Sequence, residues 1–251
     1  MSRVIWGINP LLEVLKNQPE LIEEIVLEKK SLSGKKFQIL EKAKALGIPV
    51  KIWSKGAFFP PKVPHDSHTQ GVVAYLRTFE YAELEDIVAL WETRGEDPLV
   101  IALDEVTDPQ NVGSILRVAD SAGVHGLIIP KHRACEITGT VIKVSAGSAF
   151  HLPIVRVTNL KEAISYFKER GLWVLGLTHK TETTLYDLDL KIPLLLIAGN
   201  EGKGIRPSIL ERCDFQAHLP MRGKVESLNV SQAVSIALYE ILRQRYYCAV
   251  K

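Results

Sequence analysis

From residue 99 onward the chain alternates short apolar runs with helical segments, and this alternation restricts its fold more than any other feature. Residues 99–103, 126–129, 154–157, 173–177, 193–198 and 218–221 read as strands. Residues 112–122 and 160–170 read as helices between them. Several of these strands are apolar throughout rather than at every second position. Such strands need cover on both faces, which predicts a mostly parallel α/β sheet with helices on either side. The last helix, 231–246, is apolar at Val234, Ala237, Leu238, Ile241 and Leu242, a stripe that suits either an internal core or a partner subunit.

The amino-terminal third reads as a separate, smaller α/β unit. Residues 9–16 form a short amphipathic helix with Pro10 in its first turn. Residues 24–27, 50–53 and 70–76 read as strands. Residues 35–46 have helical spacing at Phe37, Leu40, Ala43 and Ala45, closed by Gly47. The Pro-rich stretch 58–64 continues neither element and reads as loop. Residues 80–94 form an acidic helical joint, and Gly95 to Pro98 interrupts it, so the domain boundary falls near residue 95. The resulting organisation is a small domain at 1–78, a linker at 79–96 and a larger domain at 97–251.

Charge is distributed unevenly although the net value is only +2. Residues 1–77 hold twelve Lys and Arg against seven Asp and Glu, a surplus of five positive charges. Residues 78–96 hold one Arg against six acids, a surplus of five negative charges. The basic third is either a solvated lysine-rich surface or an electrostatic footprint for nucleic-acid phosphates. Cys135, Cys213 and Cys248 are far apart and form no CxxC pair, which argues against a disulfide framework and against a zinc site. No apolar run reaches the roughly 18–20 residues that cross a bilayer. The amino terminus has no apolar run of signal-peptide length, so the expected location is the cytoplasm.

Three segments of the larger domain have the makings of a site. The first, residues 108–117, reads Asp-Pro-Gln-Asn-Val-Gly-Ser-Ile-Leu-Arg and leads from a strand into a helix. Val112, Ile115, Leu116 and Ala119 share the stripe expected to face the core. Gly113 and Arg117, at i and i+4, share another face where a ligand has room to approach. The second, residues 197–205, reads Ile-Ala-Gly-Asn-Glu-Gly-Lys-Gly-Ile, a buried strand entering a glycine-rich turn that contains Glu201. Its spacing matches neither an NTPase phosphate loop nor a dinucleotide fingerprint. The third, residues 219–231, reads Leu-Pro-Met-Arg-Gly-Lys-Val-Glu-Ser-Leu-Asn-Val-Ser and joins a strand to the last helix. Ser227, Asn229 and Ser231 are all good caps, so helix capping accounts for at least one of them. A hydrolase would need Ser227 in a GxSxG elbow, which is absent, and Asp214 and His218 have no triad spacing with it.

In this order, the three segments resemble the SpoU branch of the SPOUT superfamily of RNA methyltransferases, and within it the bacterial 23S rRNA (guanosine-2′-O)-methyltransferase group. Residues 124–131 (Val-His-Gly-Leu-Ile-Ile-Pro-Lys) and 144–147 (Val-Ser-Ala-Gly) extend the likeness. Residues 6–15 (Trp-Gly-Ile-Asn-Pro-Leu-Leu-Glu-Val-Leu) and 68–74 (His-Thr-Gln-Gly-Val-Val-Ala) resemble the family's ribosomal-L30e-like RNA-binding domain.

The resemblance implies a carboxy-terminal trefoil knot, S-adenosylmethionine (SAM) as cofactor, no metal, a homodimer with the active site near the interface, and methyl transfer to a ribose 2′-hydroxyl of RNA. It assigns the cofactor to Gly199, Glu201, Gly202, Leu219, Met221, Ser227, Leu228 and Val230. Catalysis falls to Asn111, Arg117, Glu201, Ser227 and Asn229. Two roles are open to Arg117: the family assigns it the proton of the hydroxyl, whereas a guanidinium of pKa above about 12 is better suited to hold a phosphate and a developing alkoxide. The second segment has Asn200 as in tRNA-modifying relatives, where the 23S group often has Ala. The two-domain layout favours rRNA. The alternatives are a tRNA 2′-O-methyltransferase and a non-catalytic RNA-binding or ribosome assembly factor.

Overall fold

The computed structural model describes residues 3–247, apart from 18, 30–33, 55–57, 59, 65–66, 77–78 and 226. Contacts divide the chain into two compact units: residues 1–80 with 136–151, and residues 81–135 with 152–251.

The first unit is built on a four-stranded sheet of order β1-β4-β2-β3. Its strands are β1 (Arg3–Trp6), β2 (Ile22–Glu28), β3 (Val50–Trp53) and β4 (Val72–Leu76). β2 and β3 run parallel, while β4 is antiparallel to both β1 and β2. Helix α1 (Ile8–Asn17) buries Pro10, Leu11, Val14 and Leu15 on one stripe. The first N–H of α1 is satisfied by the Gln70 side-chain oxygen at 2.9 Å, and Gly7 donates to the Val72 carbonyl at 3.1 Å. The two segments that resembled an RNA-binding domain therefore lie against each other. Helix α2 (Lys35–Ala45) buries Lys36, Ile39, Leu40 and Ala43. The expected stripe is corrected here. Phe37 is 51% exposed and Ala45 also faces water, because burying Ile39 and Leu40 turns both away; the aliphatic stem of Lys36 takes the inner position. A short helix further along the chain, α5 (Gly139–Val144), packs on β1, with the Lys143 ammonium 5.2 Å from the Trp6 ring centre.

The second unit holds a six-stranded, wholly parallel sheet of order β10-β8-β9-β5-β6-β7. Its strands are β5 (Leu99–Asp104), β6 (Gly126–Pro130), β7 (Ile154–Val157), β8 (Trp173–Leu177), β9 (Leu194–Gly199) and β10 (Phe215–Ala217). Every residue of β5, β6 and β9 is buried, as strands covered on both faces must be. The acidic segment after residue 80 forms α3 (Leu84–Arg94), started by a Glu83–Asp86 capping box and ended by Gly95 in the left-handed conformation. α3 sends Ile87 and Trp91 into a core shared with α6 (Leu160–Lys168) and the strands. Helix α4 (Pro109–Ser121) buries the predicted Val112, Ile115, Leu116 and Ala119 and packs on α8 (Val230–Leu242). A one-turn helix, α7 (Pro207–Leu210), follows the loop after β9.

The strand expected at 218–221 is a second correction. β10 ends at Ala217, and beyond it only His218 makes a single bridge, to Thr184. Pro220 has no N–H to donate to a ladder. After α8 a π-helical turn (Arg243–Tyr247) brings Arg245 under the sheet, where its guanidinium donates to the carbonyls of Asp97, Pro98, Leu190 and Ile192. Cys135 is buried and Cys213 half-buried with its thiol pushed up to about 12 by burial, while Cys248 lies outside the described residues. Among the described residues no helix is long and apolar enough to cross a membrane, and no three His, Cys, Asp or Glu side chains cluster as metal ligands.

Candidate active site

The carboxyl ends of β8, β9 and β10 open onto one cavity of about 340 Å³, within the range of small-molecule sites. Its walls are the loop after β8 (Thr178, His179), the loop after β9 (Asn200 to Gly204), the segment after β10 (His218, Leu219, Met221) and the entry to α8 (Ser227, Leu228, Val230). All eight residues assigned to the cofactor line this one cavity: Gly199, Glu201, Gly202, Leu219, Met221, Ser227, Leu228 and Val230.

The loop after β9 is a tight closure that only certain residues allow. A side chain on Gly199 would run into the backbone of Gly204 and Ile205. The Gly204 N–H donates to the Asn200 carbonyl at 2.7 Å, and Gly204 itself has φ +70°. The Asn200 side-chain oxygen accepts from the N–H groups of Gly202 and Lys203, at 2.9 and 3.3 Å, while its amide donates to the Glu105 carbonyl at 3.1 Å. Asn200 is thus the staple of the turn.

Below the turn, Asp104 at the end of β5 is fully buried. It accepts from the Arg206 backbone N–H at 2.8 Å and pairs with the guanidinium at 2.6 Å. These hydrogen bonds from Arg206 to Asp104 raise the arginine's pKa. This pair holds the far end of the β9 loop against β5.

Glu201 joins three distant parts of the chain. Its Oε1 accepts from the amides of Asn111, on α4, and of Asn229, the latter at 2.7 Å. The Asn229 amide also donates to the Asn111 side-chain oxygen at 2.9 Å. Asn229 is the N-cap of α8: its own oxygen accepts from the Ser231 N–H at 2.9 Å and from the Ser231 hydroxyl at 2.6 Å. With the oxygen occupied by the cap, only the amide nitrogen is left to reach Glu201. One side chain thus caps α8 through its oxygen and joins the Glu201 network through its nitrogen.

Four of the five residues assigned to catalysis meet here: Asn111, Glu201 and Asn229 in the network, with Glu201 and Ser227 on the wall. Arg117 does not line the cavity, and its side chain is exposed on α4. Gly113 is buried, so the expected open platform of Gly113 beneath Arg117 is not formed. Sequence reasoning missed Thr178, His179, Asn200, Gly204, Ala217, His218 and Ala233 on the wall, and the Asp104–Arg206 pair beneath it. The buried strand ending in Asp was the available signal for that pair, since a carboxylate closing an apolar run needs a partner.

The chemistry of the walls fits SAM. No Lys or Arg lines the cavity among the described residues. Leu177, Leu219, Met221, Leu228 and Val230 with bare backbone suit a purine and ribose, and the one carboxylate, Glu201, suits a ligand carrying positive charge.

Residues 98–239 match the SpoU rRNA Methylase family, which is more than half of the chain. The chain belongs to the SpoU family. Residues 4–82 match the substrate-binding domain of RNA 2′-O ribose methyltransferases. The chain is 38% identical over 249 residues to a 23S rRNA (guanosine-2′-O-)-methyltransferase of Pseudomonas aeruginosa, covering 96% of each. It is 40% identical over 244 residues to a putative TrmH family tRNA/rRNA methyltransferase of Bacillus subtilis, covering 96% of this chain and 95% of the relative. Among solved structures, the SpoU methyltransferase AviRb from Streptomyces viridochromogenes, in complex with AdoMet, superposes with a TM-score of 0.81 at 26% identity, covering 98% of this chain and 91% of that one. This SpoU family member is a SAM-dependent RNA 2′-O-ribose methyltransferase.

Proposed function

We propose that this SpoU enzyme methylates the ribose 2′-hydroxyl of one guanosine in 23S rRNA, acting in the cytoplasm. The observation that carries the site assignment is the convergence of Asn111 and Asn229 on Glu201 at the wall of an apolar, cation-tolerant cavity. The substrate assignment rests on the relatives named for 23S rRNA guanosine and on the domain at residues 4–82. RNA binding falls to the expected domain at 1–78 and catalysis to that at 97–251, while the expected connection at 79–96 carries α3, whose Ile87 and Trp91 belong to the core of the second unit.

When bound, SAM supplies a methyl group on a sulfonium leaving group. The protein's part is placement. Backbone at Gly199, Leu219 and Leu228 holds the adenosine, with Gly202, Met221, Ser227 and Val230 closing around it. Asn111 and Asn229 fix the Glu201 carboxylate, which with Ser227 orients the incoming ribose. Arg117 holds the phosphate next to the reacting sugar and stabilises the negative charge developing on the 2′-oxygen, whose proton passes to water as the methyl leaves the sulfonium. Because Arg117 lies outside the cavity of its own chain, it serves a site completed by a second copy. Exposed Ile236, Tyr239, Tyr246 and Tyr247 on and after α8 supply an apolar face for that homodimer.

A tRNA substrate is the second reading. The observation favouring it is 31% identity, over 65% of this chain and 83% of the other, to the TrmH/SpoU tRNA modifying enzyme of A. aeolicus, with a TM-score of 0.56. The test is incubation with labelled SAM and separated 23S rRNA, 16S rRNA and tRNA, followed by mapping of 2′-O-methyl nucleotides. The expected result is a single guanosine in 23S rRNA, lost in Arg117→Ala. Label in tRNA alone would replace the substrate. SAM binding with transfer to no RNA would turn the reading into a non-catalytic assembly factor.

A further inference from the structure

The carboxyl edge of the parallel sheet carries a second built feature beside the cavity. Strand register pairs Asp104 of β5 with Gly199 of β9 and Pro130 of β6 with Val157 of β7. The β5–β6 register, paired as far as Ala102 with Ile128, brings Asp104 level with Pro130 when continued two residues. The next residues along are therefore Asn200, in the site loop, Glu105, and Lys131. Lys131, His132 and Arg133 form an exposed basic turn two strand spacings from the β9 loop, roughly 10 Å away.

This turn is held in place. The Lys131 N–H donates to the Val157 carbonyl at 2.7 Å, and its own carbonyl accepts from Arg156 at 3.0 Å. Arg133 reaches back to Glu105 at 3.3 Å, and Glu105 also pairs with Arg206 at 3.4 Å. Glu105 in turn offers its carbonyl to Asn200, the staple of the cofactor loop. Both Glu105 and Arg133 have positive φ, +58° and +54°, conformations that L residues rarely adopt. Strain of this kind persists where the surroundings over-determine it, and here both strained residues sit on one ion pair. Even so, the Arg133 side chain is 74% exposed, so most of its five donors face solvent.

From this geometry we infer that Lys131 and Arg133 grip the phosphates of the RNA strand flanking the reacting ribose, a contact separate from those of the amino-terminal domain. The inference rests on the RNA methyltransferase reading above. A pre-ordered pair of cations a few nucleotides of strand from the cavity positions the backbone without reading sequence. Glu105 orders the turn by holding the inner side of Arg133, and its link to Asn200 ties the phosphate grip to the loop that bears Glu201.

The test is RNA binding by the full-length protein, saturated with S-adenosylhomocysteine, to total 23S rRNA across a salt series. Lys131→Ala/Arg133→Ala should weaken binding about tenfold near 0.1 M salt. The slope of log K against log salt should fall by about 1.4, that is about 0.7 for each single-strand phosphate contact. Affinity for SAM should stay within twofold of wild type. Lys131→Glu alone, which keeps Arg133 on Glu105, should give at least half of that loss and guards against a misfolded double variant. Photo-crosslinking of the wild-type complex should place a nucleotide on the peptide containing residues 131–133. Unchanged affinity and slope, or a loss of SAM binding that parallels the loss of RNA, would overturn the phosphate grip. Wild-type protein that binds SAM but no RNA would overturn the methyltransferase reading as well.

Discussion

At the amino ends of β5, β8 and β9, polar side chains close onto backbone groups of the strands. The Arg245 guanidinium donates to the carbonyls of Asp97, Pro98, Leu190 and Ile192; His125 Nδ1 accepts from the Leu99 N–H at 3.1 Å; Asp214 accepts from the Val174 N–H at 2.9 Å. At the carboxyl ends of β5 and β9 the same kinds of groups close onto one another: Asp104 on Arg206, Glu105 on Arg133, Glu201 on two asparagines. The first arrangement satisfies backbone groups that would otherwise be orphaned on burial. The second holds side chains in fixed positions around a cavity. One end of the sheet is closed off for stability and the other opens on the cavity, in agreement with the rule that open parallel sheets bind ligands beyond their carboxyl ends.

This contrast can be broken experimentally. The largest effect is expected from Glu201→Ala, which should lower kcat by about a hundredfold, as loss of a positioned hydrogen-bonding group at a reacting centre does. Its melting temperature should stay within a few degrees of wild type; a large fall would mean that the carboxyl end is also a stability device. Arg245→Ala should behave the other way. Four carbonyls lose their donor, costing about 3 kcal/mol and lowering the melting temperature by roughly 6–12 °C, while activity per folded molecule stays within about twofold. Arg245→Lys should rescue little, since an ammonium cannot reproduce the guanidinium fork.

His125 sharpens the comparison through pH. Burial, with Arg94 nearby, lowers its pKa against the opposing pull of Glu96. Below about pH 6.5 the unfolded chain therefore binds a proton that the folded chain resists. Stability is complete above that pH and should fall as pH drops from about 7 toward 5. A His125→Asn variant should show a flatter profile of melting temperature against pH; an unchanged slope would show that other groups set it. The smallest effect concerns Cys213, whose thiol is pushed up to about 12 by burial. Iodoacetamide at pH 8 should leave it unmodified in the folded protein, as read by intact mass, with no change in activity.

Much of the second unit was legible because its signal is local. The buried stripe of α4 is written at Val112, Ile115, Leu116 and Ala119, and fully apolar runs marked β5 and β9. Phe37 misled because hydrophobicity alone does not say which of two neighbouring stripes packs inward; Ile39 and Leu40 together outweighed it. β10 was displaced by a few residues because Leu219 and Met221 are as apolar as a strand, yet line the cavity instead. The residues that line the cavity followed from a resemblance carried by short motifs. The Asp104–Arg206 pair spans 102 positions and the Asn111–Asn229 contact 118, and no local pattern links partners that far apart. For the same reason no local signal tied residues 136–151 to the first unit.

Asn229 caps the last long helix with one end of its side chain and holds Glu201 with the other. During synthesis this has a consequence of timing. A ribosome that has made the first 228 residues has made both remaining members of the trio, Asn111 and Glu201, but no site. The entry to α8 also supplies Leu228, Val230 and Ala233 to the cavity, so a chain still lacking its closing segment would lack one wall of it, and on the proposed function would reach its RNA only after synthesis is complete.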